Sequence, residues 1–463
     1  MAERQGGSAA GLRRLGIRLM ERVRRTDALA LLPELEASQW LTREVLAQRQ
    51  LDLLRRHLAY CGQQVPFYAN LFDELGFDPE AVASPGDLAR LPVLDKPTIT
   101  AAGDRLHSRE MPRLQSRHKS TSGSTGVPLN YYLDRRSHSY LWAQIWRAWG
   151  QVGYTPGDLY ATLSGGSLLP REVDLKQRIY LLLSGCVHLP SYHLTAREMD
   201  EYAVVLRRRR VAYLYGYPSS LELLADHLLA NDARPPAMLA VFTTSEMLTP
   251  TARAAIAEAF GAPVHDTYGC NDGGVYAFEC EHHDGYHVGD ESCLVEVVDD
   301  QGRPVPDGEV GRIVTTHLVN RAHPFLRYAT GDMGAISAEP CACGRGLSRI
   351  VQLQGRERDF VVTPDGRRIH GAFFNHFEPF YASPWISRFQ VYQGQVGRLE
   401  VRLVVSRPPT DDEHEDLVAE LRRGLGAMDI EVRQVEDLEL SRTGKFRVVI
   451  SELTTSETGG GAG

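Results

Sequence analysis

The chain lacks the marks of a membrane-spanning, secreted or nucleic-acid-binding protein. No apolar run reaches the ~18–20 residues of a bilayer span; the longest are broken by Arg, Asp or Gly. Cysteine is sparse, and its odd set of seven (Cys61, Cys186, Cys270, Cys280, Cys293, Cys341 and Cys343) is scattered. That excludes a disulfide framework and points to reduced thiols in a cytoplasm. Positive charge is not in excess: the formal net charge is -8, so no nucleic-acid or membrane partner is expected. Arginine does gather between Met1 and Arg25, beside a Gly-Gly-Ser, but Glu3, Glu21 and the lack of a small-residue cleavage site argue against a targeting peptide. A loose basic end leading into a helix is the expectation.

What is present is an alternation of elements. Leu41, Val45, Leu46, Leu51, Leu53, Leu54 and Leu58 recur at helical spacing between Trp40 and Tyr60. Further helices are expected around Leu141–Trp149, Ala196–Arg209, Ser220–Leu229 and Thr251–Phe260. Strand-like runs lie between them at Leu159–Leu163, Ala212–Tyr215, Ala240–Thr244 and Pro263–Tyr268. This pattern predicts α/β layering with a largely parallel sheet. After Tyr286 the alternating runs Leu294–Val298, Gly311–Leu318 and Leu399–Val405 read as antiparallel. The charged string Gly355-Arg356-Glu357-Arg358-Asp359 marks a boundary, followed by a compact α+β unit with a helix over Asp411–Met428. The expected division is an extension 1–39, a large domain 40–355, a small domain 356–453 and a disordered tail 454–463.

Ser120-Thr121-Ser122-Gly123-Ser124-Thr125-Gly126-Val127-Pro128 is the most distinctive local string. Glycines let backbone N–H groups approach an anion, and hydroxyls add neutral donors, which suits a triphosphate. A flexible polar linker has similar composition. A Walker A loop is excluded, because no Lys-Ser/Thr follows at the required spacing. The string resembles the Thr-Ser-Gly-Ser/Thr-Thr-Gly-x-Pro signature of the adenylate-forming superfamily, most closely its phenylacetate–CoA ligase branch. Val127 stands where many relatives carry Lys.

The resemblance implies roles for four further motifs. In Tyr268-Gly269-Cys270-Asn271-Asp272, Tyr268 and Gly269 would lie near adenine, and Asp272 would help hold Mg²⁺ where relatives have Glu. Asp266, just upstream, joins this nucleotide-lining set. In Phe242-Thr243-Thr244-Ser245-Glu246, Ser245 and Glu246 would line the nucleotide and acyl pocket; Glu246 could equally serve a helix N-terminus. Tyr328-Ala329-Thr330-Gly331-Asp332 matches Tyr-x-Thr-Gly-Asp, with Asp332 accepting from both ribose hydroxyls. Gly355-Arg356 matches the family hinge, with Arg356 reaching ribose or phosphate and Arg358 where relatives have the pivot Asp. Near the C-terminus, Ser441-Arg442-Thr443-Gly444-Lys445 resembles the motif whose Lys offsets charge between the acid and the α-phosphate.

Two short clusters remain, Cys280-x-His282-His283-x-x-x-His287 and Cys341-x-Cys343. Thiolates and imidazoles so grouped suit tetrahedral Zn²⁺. Cys280, His287, Cys341 and Cys343 are the expected ligands, with His282 as alternative fourth, against a reading as free thiols and surface histidines. Four protein ligands would leave no open position, so the role would be structural.

The resemblance as a whole implies a large N-terminal adenylate-forming domain and a small mobile α+β domain, possessing AMP-forming acid–thiol ligase activity. The substrates would be ATP with Mg²⁺ and a carboxylic acid, expected to be aryl and lined by Tyr160–Ser167, Tyr215–Pro218 and Thr243–Met247. CoA is the default acceptor; a carrier-protein thiol or an amine are alternatives. AMP transfer to a cofactor hydroxyl and a degenerate nucleotide-binding protein are the competing functions. A homodimer is compatible with the family.

Overall fold

The computed structural model describes residues 7–121, 129–164, 175–191, 194–356, 360–370, 373–374, 377–440 and 446–453. There are two compact units, Met1–Thr330 with Gly334–Leu353, and Gly331–Met333 with Gln354–Gly463.

An eleven-stranded sheet dominates the first unit. Its order is Cys293–Val298, Gly311–His317, Tyr328–Ser337, Arg349–Arg356, Tyr286–Val288, Val275–Glu279, Val264–Cys270, Ala240–Thr244, Tyr213–Gly216, Tyr160–Ser164 and Cys186–Pro190. The last five are mutually parallel. The sheet turns antiparallel where Val264–Cys270 meets Val275–Glu279, so the change of texture seen along the chain is a change of strand direction. Tyr160–Ser164 and Ala240–Thr244 are buried at every position, as strands covered on both faces must be.

Helices form where caps and stripes agree. Thr195 and Glu198 make a reciprocal capping box for Ala196–Arg209, which ends on Arg207, Arg208 and Arg209, favourable to its C-terminal dipole. The early helix runs Arg43–Gln64 rather than from Trp40, because Thr42 is its N-cap. The N-terminal segment expected to be loose is instead helical, at Gly7–Arg24 and Ala28–Ser38. Ile17, Leu32 and Leu35 anchor it in a core with Trp146 and Trp149.

The second unit has its own core of Val391, Leu399, Val401, Leu403, Leu417 and Leu421. Its sheet runs Asp429–Gln434, Arg398–Val405, Ile386–Gln395, Val449–Ser451. The covering helix is Asp411–Leu425, shorter than expected because Gly426 (φ 80°) stops it.

Candidate active site and metal cluster

The C-terminal ends of the parallel strands lie side by side, with Leu163 opposite Gly216 and Gly216 opposite Thr243. Ligands of open α/β sheets bind outside such ends. Ser245, just past Thr244, has φ 72°. A non-glycine residue there stores strain, and strain of this kind gathers at functional sites. Glu246 accepts a hydrogen bond from the Ser219 backbone N–H at 3.0 Å. It thus serves the N-terminus of the neighbouring helix Pro218–Ala230.

The phosphate-loop candidates Ser122, Gly123, Ser124, Thr125 and Gly126 lie outside the described residues, but their anchor does not. Arg117–Ser120 pairs antiparallel with Asn130–Leu133. Thr121 donates its backbone N–H to Leu129 O at 3.0 Å, and Leu129 donates its own to Thr121 Oγ1 at 2.9 Å. The two strands that flank the glycine-rich string are therefore paired up to Thr121 and Leu129. Tyr131, on the second of these strands, is buried, and burial raises its phenol pKa, with the charges of Asp272 and Cys270 adding to the effect. The strand pair and Asp272 are neighbours. Asp272 accepts from Tyr328 Oη at 2.5 Å and from Cys270 Sγ at 3.1 Å. Both carboxylate oxygens are thus oriented, and lone pairs remain for a cation.

Asp266, an expected nucleotide-lining residue, is held by protein partners on the strand next to Thr243. It is 3% exposed, and its oxygens accept from Thr243 Oγ1 at 2.5 Å and Tyr286 Oη at 2.8 Å. Burial, with Glu279 nearby, pushes its pKa up to about 6. The folded state therefore holds this proton more tightly than the unfolded chain, so stability falls as pH rises from 3.8 through about 6. Asp266→Asn should remove that slope. Urea midpoints of both proteins at the two ends of the window test this; parallel pH profiles would refute it.

Tyr160 is not at the crevice. It opens its strand and packs on Trp149 at 5.1 Å, at the far end from Ser164. Tyr268 and Asp332 are buried at 7% each. Gly269 follows Tyr268 in the same strand, and Arg356 ends its strand. Lys445 and the hinge residue Arg358 lie outside the described residues; Leu440 and Phe446, which flank the first, form an antiparallel bridge.

Cys280, His287, Cys341 and Cys343 come together, their ligand atoms all within 4.8 Å of one another. Cys280 and Cys341 sulfurs are 3.7 Å apart; Cys343 Sγ and His287 Nε2 are 3.3 Å apart. With Zn–S near 2.3 Å and Zn–N near 2.0–2.1 Å, tetrahedral edges would be about 3.8 Å and about 3.6 Å. A disulfide would need sulfurs near ~2.05 Å. Burial lowers the His287 pKa to about 4 and raises that of Cys280 to about 12. Burial also acts to raise Cys343, but hydrogen bonds from Arg345 and Cys341 bring its pKa below the usual thiol value. The Arg345 backbone N–H approaches Cys343 Sγ at 3.5 Å, supporting the ligand from behind. The donor set and spacing fit zinc. His282 is exposed and outside the cluster.

Residues 120–318 match the AMP-binding enzyme family, and residues 361–452 match the CapK C-terminal domain. A phenylacetate–coenzyme A ligase of Thermus thermophilus is 30% identical over 342 residues, covering 71% of this chain and 74% of the relative. The chain belongs to the phenylacetate–CoA ligase family. A second such ligase, from Pseudomonas putida, is 26% identical and covers 69% and 72% of the two chains. Among solved structures, a 2-hydroxyisobutyryl-CoA ligase in its postadenylation state shares the fold. Its TM-score is 0.73, at 20% identity over 90% of this chain and 91% of that one. As a phenylacetate–CoA ligase family member the chain is an AMP-forming acid–thiol ligase. Sequence reasoning named Tyr328 only as a motif letter and missed its bond to Asp272; the two lie 56 positions apart, and no local pattern signals that pairing.

Proposed function

We propose that the chain activates an aryl carboxylic acid with ATP and passes the acyl group to coenzyme A. The carrying observation is the meeting of the strand pair that flanks the glycine-rich string with Asp272, held by Tyr328, in a chain whose relatives are named for phenylacetate. A carboxylate oxygen of the acid attacks the α-phosphorus, and pyrophosphate leaves. The thiol sulfur then attacks the acyl carbonyl, and AMP leaves. Ser122, Gly123, Ser124, Thr125 and Gly126 would bind the phosphates, as the composition of that string suits. Asp272 is the residue that would hold Mg²⁺, which neutralises phosphate charge. Lys445 places a cation over the charge that develops when two anions meet.

ATP–pyrophosphate exchange over aryl, aliphatic and amino acids, beside Lys445→Ala, tests the proposal. Aryl acids should support exchange, and the variant should lose about 10²–10³ in rate. CoA should then consume the adenylate. Exchange with aliphatic acids alone would refute the aryl class. ATP binding with no exchange for any acid would refute adenylation.

A further inference from the structure

Thirteen large apolar side chains are exposed among the described residues, and seven lie on two helices that touch. Leu12, Leu15, Leu19 and Val23 are 58–77% exposed on helix Gly7–Arg24. Leu175, Ile179 and Leu182 are 49–73% exposed on helix Leu175–Ser184. Both sets recur at spacings of three and four, so each forms one stripe. The helices meet where Gly16 faces Leu183; a Cβ at Gly16 would stand 3.0 Å from Leu183 Cδ2. Arg24 stacks on the Tyr180 ring at 3.9 Å. The other face of Gly7–Arg24 is already used, by Ile17 in the core.

Beside the apolar stripe runs a second one. Arg14, Arg18 and Arg22 follow at spacings of four, all exposed, and Arg178 is exposed on the partner helix. None of them has an ion-pair partner among the described residues. Helix Gly7–Arg24 carries five arginines against one glutamate, in a chain whose net charge is -8. The positive face is thus local and directed outward.

We propose that this two-helix face lies on an anionic lipid bilayer, with the aliphatic stripe in the acyl–headgroup boundary and the arginines at the phosphates. Two features favour lipid over a second copy of the chain. The seven residues are all Leu, Ile or Val, whereas protein interface centres are enriched in aromatic residues, with Leu and Val under-represented among hot spots. The unpaired arginines need anions from outside, and an in-plane amphipathic helix with an Arg-rich polar face is the form lipid surfaces select. No helix among the described residues is long and apolar enough to cross a bilayer, and lying in the interface does not require it. The sequence expectation of no membrane partner rested on the missing span and on the net charge, and neither bears on a local face.

Co-sedimentation of the full chain with vesicles is the test. One set is phosphatidylcholine alone; the other is equal parts phosphatidylcholine and phosphatidylglycerol. The chain should pellet with the mixed vesicles and stay in solution with the neutral ones. Leu15→Ser with Leu19→Ser should weaken binding about tenfold or more. Arg14→Gln with Arg18→Gln should weaken it about 25-fold, since each arginine near an anionic surface contributes about fivefold. Pyrophosphate exchange and melting temperature should not move, because all four side chains are exposed. No binding to either vesicle overturns the proposal. So does binding that ignores both variants. Light scattering that finds a pair of chains, split by the leucine variant, would make the face a subunit interface instead.

Discussion

Purified without chelator, the chain should carry one zinc ion per molecule, and Cys280→Ser should release it and lower the melting temperature by about 5–10 °C. The reasoning starts from where the ligands sit. Cys280 follows the strand Val275–Glu279 directly, His287 lies within Tyr286–Val288, and Cys341 with Cys343 occupies the connection between Tyr328–Ser337 and Arg349–Arg356. One ion would staple two strand connections and a strand, across residues that sequence separates by up to 63 positions. Structural zinc contributes about 10–16 kcal/mol in small zinc modules. If a third of that acts here, a unit of this size shifts by the stated range. Metal analysis and thermal melts of Cys280→Ser, Cys341→Ser and His282→Ala check it. The two cysteine variants should lose metal and stability together, while His282→Ala keeps both. A metal-free wild type, or a His282 variant that loses zinc, would overturn this ligand set. The readout is stability and metal content, so the outcome does not depend on knowing the acid.

Much of the core was legible because local signals and burial agree there. Ala240–Thr244 and Ala196–Arg209 form over the ranges expected from their apolar run and stripe, and a Thr410–Glu413 capping box starts Asp411–Leu425 where the pattern began. The Cys/His clusters were readable as two groups, and the fold supplies the third dimension that separates His287 from His282. Helix Gly7–Arg24 was missed for a physical reason. Its stripe of Leu12, Leu15, Leu19 and Val23 faces outward, with Ile17 on the other face in the core, and arginines and Gly11 and Gly16 interleave it, so composition there reads as a loose basic end. Asp266 was named from the family resemblance alone, and nothing along the sequence signals its partners. Burial on both faces of a central strand, with Thr243 and Tyr286 as partners, is a tertiary fact.

Arg327→Met should cost about 3–5 kcal/mol of folding stability, the range for removing one partner of a buried ion pair. Arg327 is 1% exposed and Glu296 8%. Arg327 Nε donates to the Glu296 carboxylate at 3.2 and 3.3 Å. Its two Nη groups donate to Leu91 O and Gly302 O, each at 2.7 Å. Every arm of the fork is therefore used, and the loss strands a carboxylate and two carbonyls. Burial already raises the Glu296 pKa against the pull of Arg327. Without the guanidinium it rises further, so the deficit of the variant should shrink as pH is lowered and Glu296 takes a proton. Replacing both partners, Arg327→Met with Glu296→Leu, should recover only part of the loss, because the two carbonyls stay unpaired. The effect should also reach the site. Arg327 has φ 50°, and its backbone O accepts from Leu94 N at 2.9 Å, which fixes the entry into the strand that presents Tyr328 to Asp272. Urea unfolding at two pH values, with pyrophosphate exchange beside it, separates the parts. A loss below about 1 kcal/mol, within the range of an exposed pair, would mean that this arginine does not hold the strand in place. A full loss with unchanged exchange would mean that it holds the fold but not the Tyr328–Asp272 contact.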